Sequence, residues 1–168
     1  MGYTHYFPRM REITNEEWAL IQAAATEVIN QCQCAGVKLA YEFDAPKAEP
    51  YVSGTEIRFN GIGGEGHETF HVDRLSRDRY GRSDQSYPFG FDFCKTARKP
   101  YDVAVTAILT IMHHYAPGGW DIGSDGTQED WLEGLELAHL AIERAETKAG
   151  LRPDLECPIQ EQDDAVQA

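Results

Sequence analysis

The chain has no apolar run long enough to cross a bilayer. The longest, Val103 to Met112, falls well short of the roughly 20 residues a membrane helix needs. It also lacks a secretory leader pattern. The opening MGYTHYFPRM carries neither the basic start nor the apolar stretch of such a signal, so the expectation is a cytoplasmic protein with no membrane partner. Cysteine is scarce. Cys32, Cys34, Cys94 and Cys157 form neither paired C-x-x-C knuckles nor a secreted-type framework, and free thiols in a reducing compartment are the better reading. Bases are short as well: 15 Lys and Arg against 28 Asp and Glu leave a formal charge of −13. That balance argues against a nucleic-acid duplex as the main partner, because duplex affinity rests largely on cationic side chains.

What is present suits a folded domain. With 168 residues, 42% of them hydrophobic, the chain can bury a core without disulfide or metal staples. One domain is expected over residues 1–150. Residues 151–168, with Pro153, Pro158 and an excess of acids, read as an acidic tail that adds nothing to the core. The bases are unevenly placed. Residues 74–99 hold seven of them (Arg74, Arg77, Arg79, Arg82, Lys95, Arg98 and Lys99) against Asp78, Asp84 and Asp92. Such a concentration suits either a local anion site or a solvated loop whose charges pair with nearby acids.

Periodicity supplies the elements. Gly2 to Phe7 alternates as a short strand stopped by Pro8. Thr14 and Glu17 form a capping box for a helix whose face is Trp18, Ile21, Ala25, Val28 and Cys32, ending near Gly36. Lys38 to Phe43 and Thr55 to Asn60 alternate as half-buried strands. A glycine-rich turn at 61–66 leads to a returning strand at Glu68 to Val72, and residues 73–89 form a long loop or lid. After a strand at Phe91 to Lys95, Pro100 opens a buried helix through Met112, with His113 and His114 favouring its C-terminal dipole. Trp120 to Ile122 is a last short strand, and Thr127 with Asp130 caps a final helix along Trp131, Leu135, Ala138, Ile142 and Ala145. This order predicts an α+β fold: a mostly antiparallel sheet of about five or six strands with three helices packed on it.

Three motifs bear on chemistry. HETFH at 67–71 fits H-E-x-x-H, in which two histidines one helical turn apart hold zinc. The neighbouring glycines and the β-prone Thr69, Phe70 and Val72 favour a strand, where four residues span about 13 Å and His67 and His71 cannot share an ion. Zinc on His67 and His71 is therefore the alternative, and no metal or cofactor the main expectation. Gly61, Gly63 and Gly66 satisfy G-x-G-x-x-G without a βαβ unit, so a hairpin turn is expected there. On the strand reading Glu68 shares the inward face of Phe70 and Val72, either as a buried ion-pair carboxylate or as a ligand-binding or general-base group. FCKTARKPYD at 93–102 brings Lys95, Thr96 and Arg98 to the free N–H groups of a helix start, an arrangement suited to phosphate or carboxylate. Asp102 in the first turn competes for those N–H groups. Cys94, beside Lys95, is either a nucleophile with His5 as its base or a plain small core residue.

GYTHYF, FNG followed by ETF, and FCKTARKPYD together resemble an uncharacterised family of tailed-bacteriophage and prophage proteins, over most of residues 2–112. Family members commonly open MGYTHYW, where this chain has Phe7. The resemblance implies a protein made in the cytoplasm of an infected bacterium, and in that setting a small anion-binding protein suggests counter-defence. On this expectation Tyr3, His5 and Tyr6 meet a base, Asn60 and Glu68 read polar groups, and Lys95, Thr96 and Arg98 hold the phosphate of a nucleotide-like signal beside Asp102. The alternatives are a metal-dependent hydrolase using HETFH and a protein–protein inhibitor with an acidic surface. The oligomeric state, homo-oligomer included, stays open.

Overall fold

The computed structural model describes residues 2–76, 86–147 and 157–159, and within them the α+β expectation holds. The elements are β1 (Thr4–Tyr6), α1 (Asn15–Cys34), β2 (Leu39–Ala40), β3 (Tyr51–Val52), β4 (Glu56–Gly61), one 3-10 turn (Gly63–Glu65), β5 (Phe70–Asp73), β6 (Phe93–Lys95), α2 (Asp102–Tyr115), β7 (Gly123–Ser124) and α3 (Gln128–Thr147). All the strand pairs are antiparallel.

Two helices start where their caps dictate. Thr14 Oγ1 accepts from the Glu17 amide at 3.1 Å, while Glu17 accepts from the Thr14 amide at 3.0 Å. Asp130 likewise accepts from the Thr127 amide at 2.8 Å ahead of α3. The third start differs from expectation: α2 begins at Asp102, not at Pro100. Bonds from the Lys99 amide to the Thr96 carbonyl and from the Asp102 amide to the Lys99 carbonyl turn the chain twice before the helix can begin. Ala97 and Arg98 both have positive φ in the first of these turns, a conformation disfavoured for residues with a Cβ and held only by surrounding contacts.

α2 is buried from Ala104 to Met112 and packs against both α1 and α3. A helix apolar on nearly every side needs that enclosure. At the α2–α3 crossing Gly134 permits the close approach, since a Cβ there would lie 2.7 Å from Thr106 Cβ.

The strands form two sheets, not the single one expected. The smaller has the order β6-β1-β7. In the larger, β3 and β5 pair with the same residues of β4 and so flank its two edges, and β2 pairs with its C-terminal end. Pro8 ends β1 after three residues, and beyond it Arg9 bridges Trp120 outside any strand. The strand expected at 120–122 shrinks to that bridge, with β7 following it. The strand expected at 38–43 shrinks to Leu39–Ala40, because a turn at Glu42–Ala45 diverts the chain ahead of Pro46. Phe43 is consequently 50% exposed, not inward.

Ile57 and Phe59 of β4 and Phe70 and Val72 of β5 are fully buried. Phe70 packs between Phe59 at 5.2 Å and Phe7 at 5.4 Å, its ring tilted to both. Strand alternation then puts Glu56, Arg58, His71 and Asp73 on the opposite, polar face of this ladder. The expectation of a tail without core contacts needs correction: Ile159 is buried, and its carbonyl accepts from Gln128 Nε2 at 3.3 Å. Residues 151–156 and 160–168 of that acidic segment, and residues 77–85 of the expected lid with their three arginines, lie outside the described residues. Among those described, no helix is long and apolar enough to cross a membrane.

Candidate functional site

The residues expected to form an anion pocket separate into distinct settings. His5, on β1, has no exposure, and Asp102 is one turn of chain past the strained loop. His5 Nε2 is 2.7 Å from Asp102 Oδ1 and its Nδ1 is 2.9 Å from Ser124 Oγ. A carboxylate only accepts, so Nε2 carries the proton. The same Asp102 oxygen accepts from Thr96 Oγ1 at 2.5 Å, so the two buried donors share one acceptor. Ser124, His5 and Asp102 thus align as a hydroxyl–imidazole–carboxylate line. Ser124 Oγ also accepts from the Gly126 amide at 2.9 Å and lies 3.3 Å from Trp131 Nε1. Held on several sides, this line fastens β1, β7 and the start of α2 together; it is built as a staple.

The two cations have separate engagements. Arg98 is paired with Asp130 at 2.7 Å and its guanidinium lies 4.0 Å over the Tyr3 ring, whereas the Lys95 stem closes over Gly2. The Arg98 fork, with help from Thr127, holds the Asp130 carboxyl down at about 2. Burial, reinforced by Asp102 and Asp130, pushes the Tyr3 phenol up to about 12. The small cleft here, about 140 Å³, is lined by Asp102, Asp130 and Glu133 as well as Arg98 and Lys99. Acids outnumber bases in it, a poor setting for phosphate. Tyr6 points elsewhere, toward Asp125 at 3.4 Å and Phe91.

Asn60 and Glu68 serve the loop between β4 and β5. Asn60 is fully buried; its amide donates to the His67 carbonyl at 2.9 Å and to Thr69 Oγ1 at 3.0 Å, and its oxygen accepts from the His67 amide at 3.1 Å. Glu68 precedes β5 instead of sharing its inward face, and its carboxylate accepts from the Lys95 amide at 2.7 Å. Its carbonyl accepts from Tyr101 Oη at 2.6 Å and Cys94 Sγ at 3.4 Å. This docks the loop on β6. Cys94 is fully buried, and that burial pushes its thiol far up, which removes the nucleophile reading and leaves the small core residue.

The same docking opens a groove of about 460 Å³ lined by Phe43, Arg58, His67, Glu68, Thr69, His71 and Phe93, a size typical of small-molecule sites. HETFH is not helical, as the strand reading had it. His67 sits in the loop before β5, with Nδ1 2.9 Å from the Lys95 carbonyl. A carbonyl only accepts, so Nδ1 carries a proton and Nε2 is the atom left to meet a ligand. His71, on β5, faces Arg58 instead. Arg58 pairs with Glu42, approaches His71 Nδ1 at 3.3 Å and lies 4.7 Å over the Tyr41 ring. Glu42 also accepts from Thr69 Oγ1. Sequence reasoning found Glu68, His67 and His71 but missed Arg58, Phe43 and Phe93. The signal for Arg58 was its place on the polar face of the alternating TEIRFN strand; nothing local marked Phe43, because the turn that exposes it interrupts its own strand.

No protein-family model matches this chain, and neither a curated protein nor a solved structure does.

Proposed function

We propose that this protein binds a small, phosphate-bearing, nucleotide-like molecule in the groove between Phe43 and Phe93. The observation that carries the reading is the company Phe43 keeps. An exposed ring of that size, 50% open to solvent, borders a polar groove with a guanidinium and two imidazoles. A ring face stacks on a planar base, Arg58 supplies donors for phosphate oxygens, and the His67 Nε2 lone pair accepts from a base amino group or a sugar hydroxyl. The groove replaces the helix start as the proposed anion site, since Thr96, Arg98 and Asp102 already engage one another or Asp130. The resemblance to phage proteins supports a setting for such binding: sequestering a phosphate-bearing signal of host immunity inside an infected bacterium.

Thermal shift against a panel of mononucleotides, nucleosides and inorganic phosphate tests this. A ligand at one hundred times its Kd stabilises by about 2.7 kcal/mol, or about 5–10 °C in Tm for a chain of this size. A nucleotide is expected to give that shift, to be recovered unchanged after denaturation, and to lose most of its effect in Phe43→Ala and His67→Ala. Shifts that both variants retain, or none at millimolar nucleotide, would remove the groove as the site.

A further inference from the structure

Among the residues lining the groove between Phe43 and Phe93, Glu68 is the one acid, and backbone fixes it there. Its amide donates to the Lys95 carbonyl at 3.1 Å, its Oε2 accepts from the Lys95 amide at 2.7 Å, and its own carbonyl accepts from Tyr101 Oη at 2.6 Å. The half-buried carboxylate is thus clamped on β6, the strand that carries Phe93, without help from a ligand. Its Oε1 accepts from no described residue. Arg58, the cation of the groove, belongs instead to β4.

A carboxylate offers only acceptors, on two oxygens side by side. It therefore selects a base whose edge presents two neighbouring N–H groups. Guanine has that edge, N1–H beside the N2 amino group. Adenine and cytosine set an amino group beside a ring-nitrogen lone pair, and uracil sets a single N–H between two carbonyls. Each of those three brings at least one acceptor against the carboxylate, leaving it unpaired and repelled, which a desolvated site penalises.

We propose that the groove selects guanine nucleotides and that Glu68 sets the choice, an inference that rests on the groove being the nucleotide site. Oε1 accepts from one of the two N–H groups, and Oε2, which keeps a lone pair beside the Lys95 amide, accepts from the other. Like charge keeps the phosphate away from Glu68 and leaves it to Arg58. The ligand is thereby oriented as well as selected, and a carboxylate already held by β6 loses little freedom on binding it.

Calorimetric titration of the full chain with GMP, IMP, AMP, CMP and UMP separately is the test. GMP binds at least about tenfold more tightly than AMP, CMP or UMP, and IMP, which lacks the N2 amino group, falls between GMP and AMP. In Glu68→Gln the side-chain oxygen still accepts from the Lys95 amide while an amino group faces the ligand, so the loop stays docked and the GMP-to-AMP preference falls at least about fivefold. A smaller preference in the wild type, IMP outside that order, or a smaller fall in folded Glu68→Gln overturns the assignment. Should Glu68→Gln not fold, the wild-type series decides alone. The groove reading fails separately: equal affinity for all five nucleotides keeps the groove and removes the role of Glu68, whereas no binding at millimolar concentration removes the groove itself.

Discussion

Replacing Asp102 by alanine removes the single oxygen that accepts from both His5 Nε2 and Thr96 Oγ1. Both donors belong to side chains with no solvent exposure, so water does not readily replace the lost acceptor. A buried donor left unpaired costs about 1–3 kcal/mol, which makes the expected loss for the two about 2–6 kcal/mol, or roughly 4–24 °C in Tm at this chain length. Asp102→Asn separates geometry from charge. Its carbonyl can stand where Oδ1 stands and keep both bonds, losing only the charge assistance, so its cost should be about 1 kcal/mol. Urea unfolding of the two variants and wild type, read by tryptophan fluorescence, measures both. If alanine costs less than about 1 kcal/mol, or asparagine costs as much as alanine, the reasoning that Asp102 is a shared acceptor for buried donors is refuted.

Gly134→Ala should destabilise despite alanine's better helix propensity. The new Cβ would sit 2.7 Å from the branched, hydrogen-bonded Thr106, and overpacking of about 1–3 kcal/mol outweighs a propensity gain of about 1; a Tm equal to or above wild type would contradict this. Acid sensitivity follows from Glu17 and Asp130, both held at about 2 by Arg11 and Arg98 respectively. Carboxyls depressed on folding stabilise above their unfolded values near 4 and lose that contribution as pH falls toward 2. Denaturation midpoints should fall across that window, and less steeply in Asp130→Asn.

The helices were legible because their signals are local. Thr14 with Glu17 and Thr127 with Asp130 mark starts within four residues, and the apolar spacing from Trp18 to Cys32 marks a face. The strands were harder. Two-residue pieces such as Tyr51–Val52 have no period to read, and the two-sheet arrangement depends on partners far along the chain. The candidate anion pocket failed for a related reason. Lys95, Thr96 and Arg98 look free in a sequence window, but Asp130, which holds Arg98, belongs to α3, and the glycine that receives the Lys95 stem stands at position 2. Arg58 and His71 were separated by an intervening loop, so their meeting across β4 and β5 became visible only with the register.

In the smaller sheet the middle strand, Thr4–Tyr6, has neighbours at Phe93–Lys95 and Gly123–Ser124. A ribosome releases the middle strand first and its second neighbour some 120 residues later, at about 5–20 residues per second. For many seconds that strand has nothing to pair with, while α1 can already form. The small sheet therefore closes only after residue 124 has emerged, and a nascent chain stalled before residue 123 would hold a made helix beside a sheet still lacking β7.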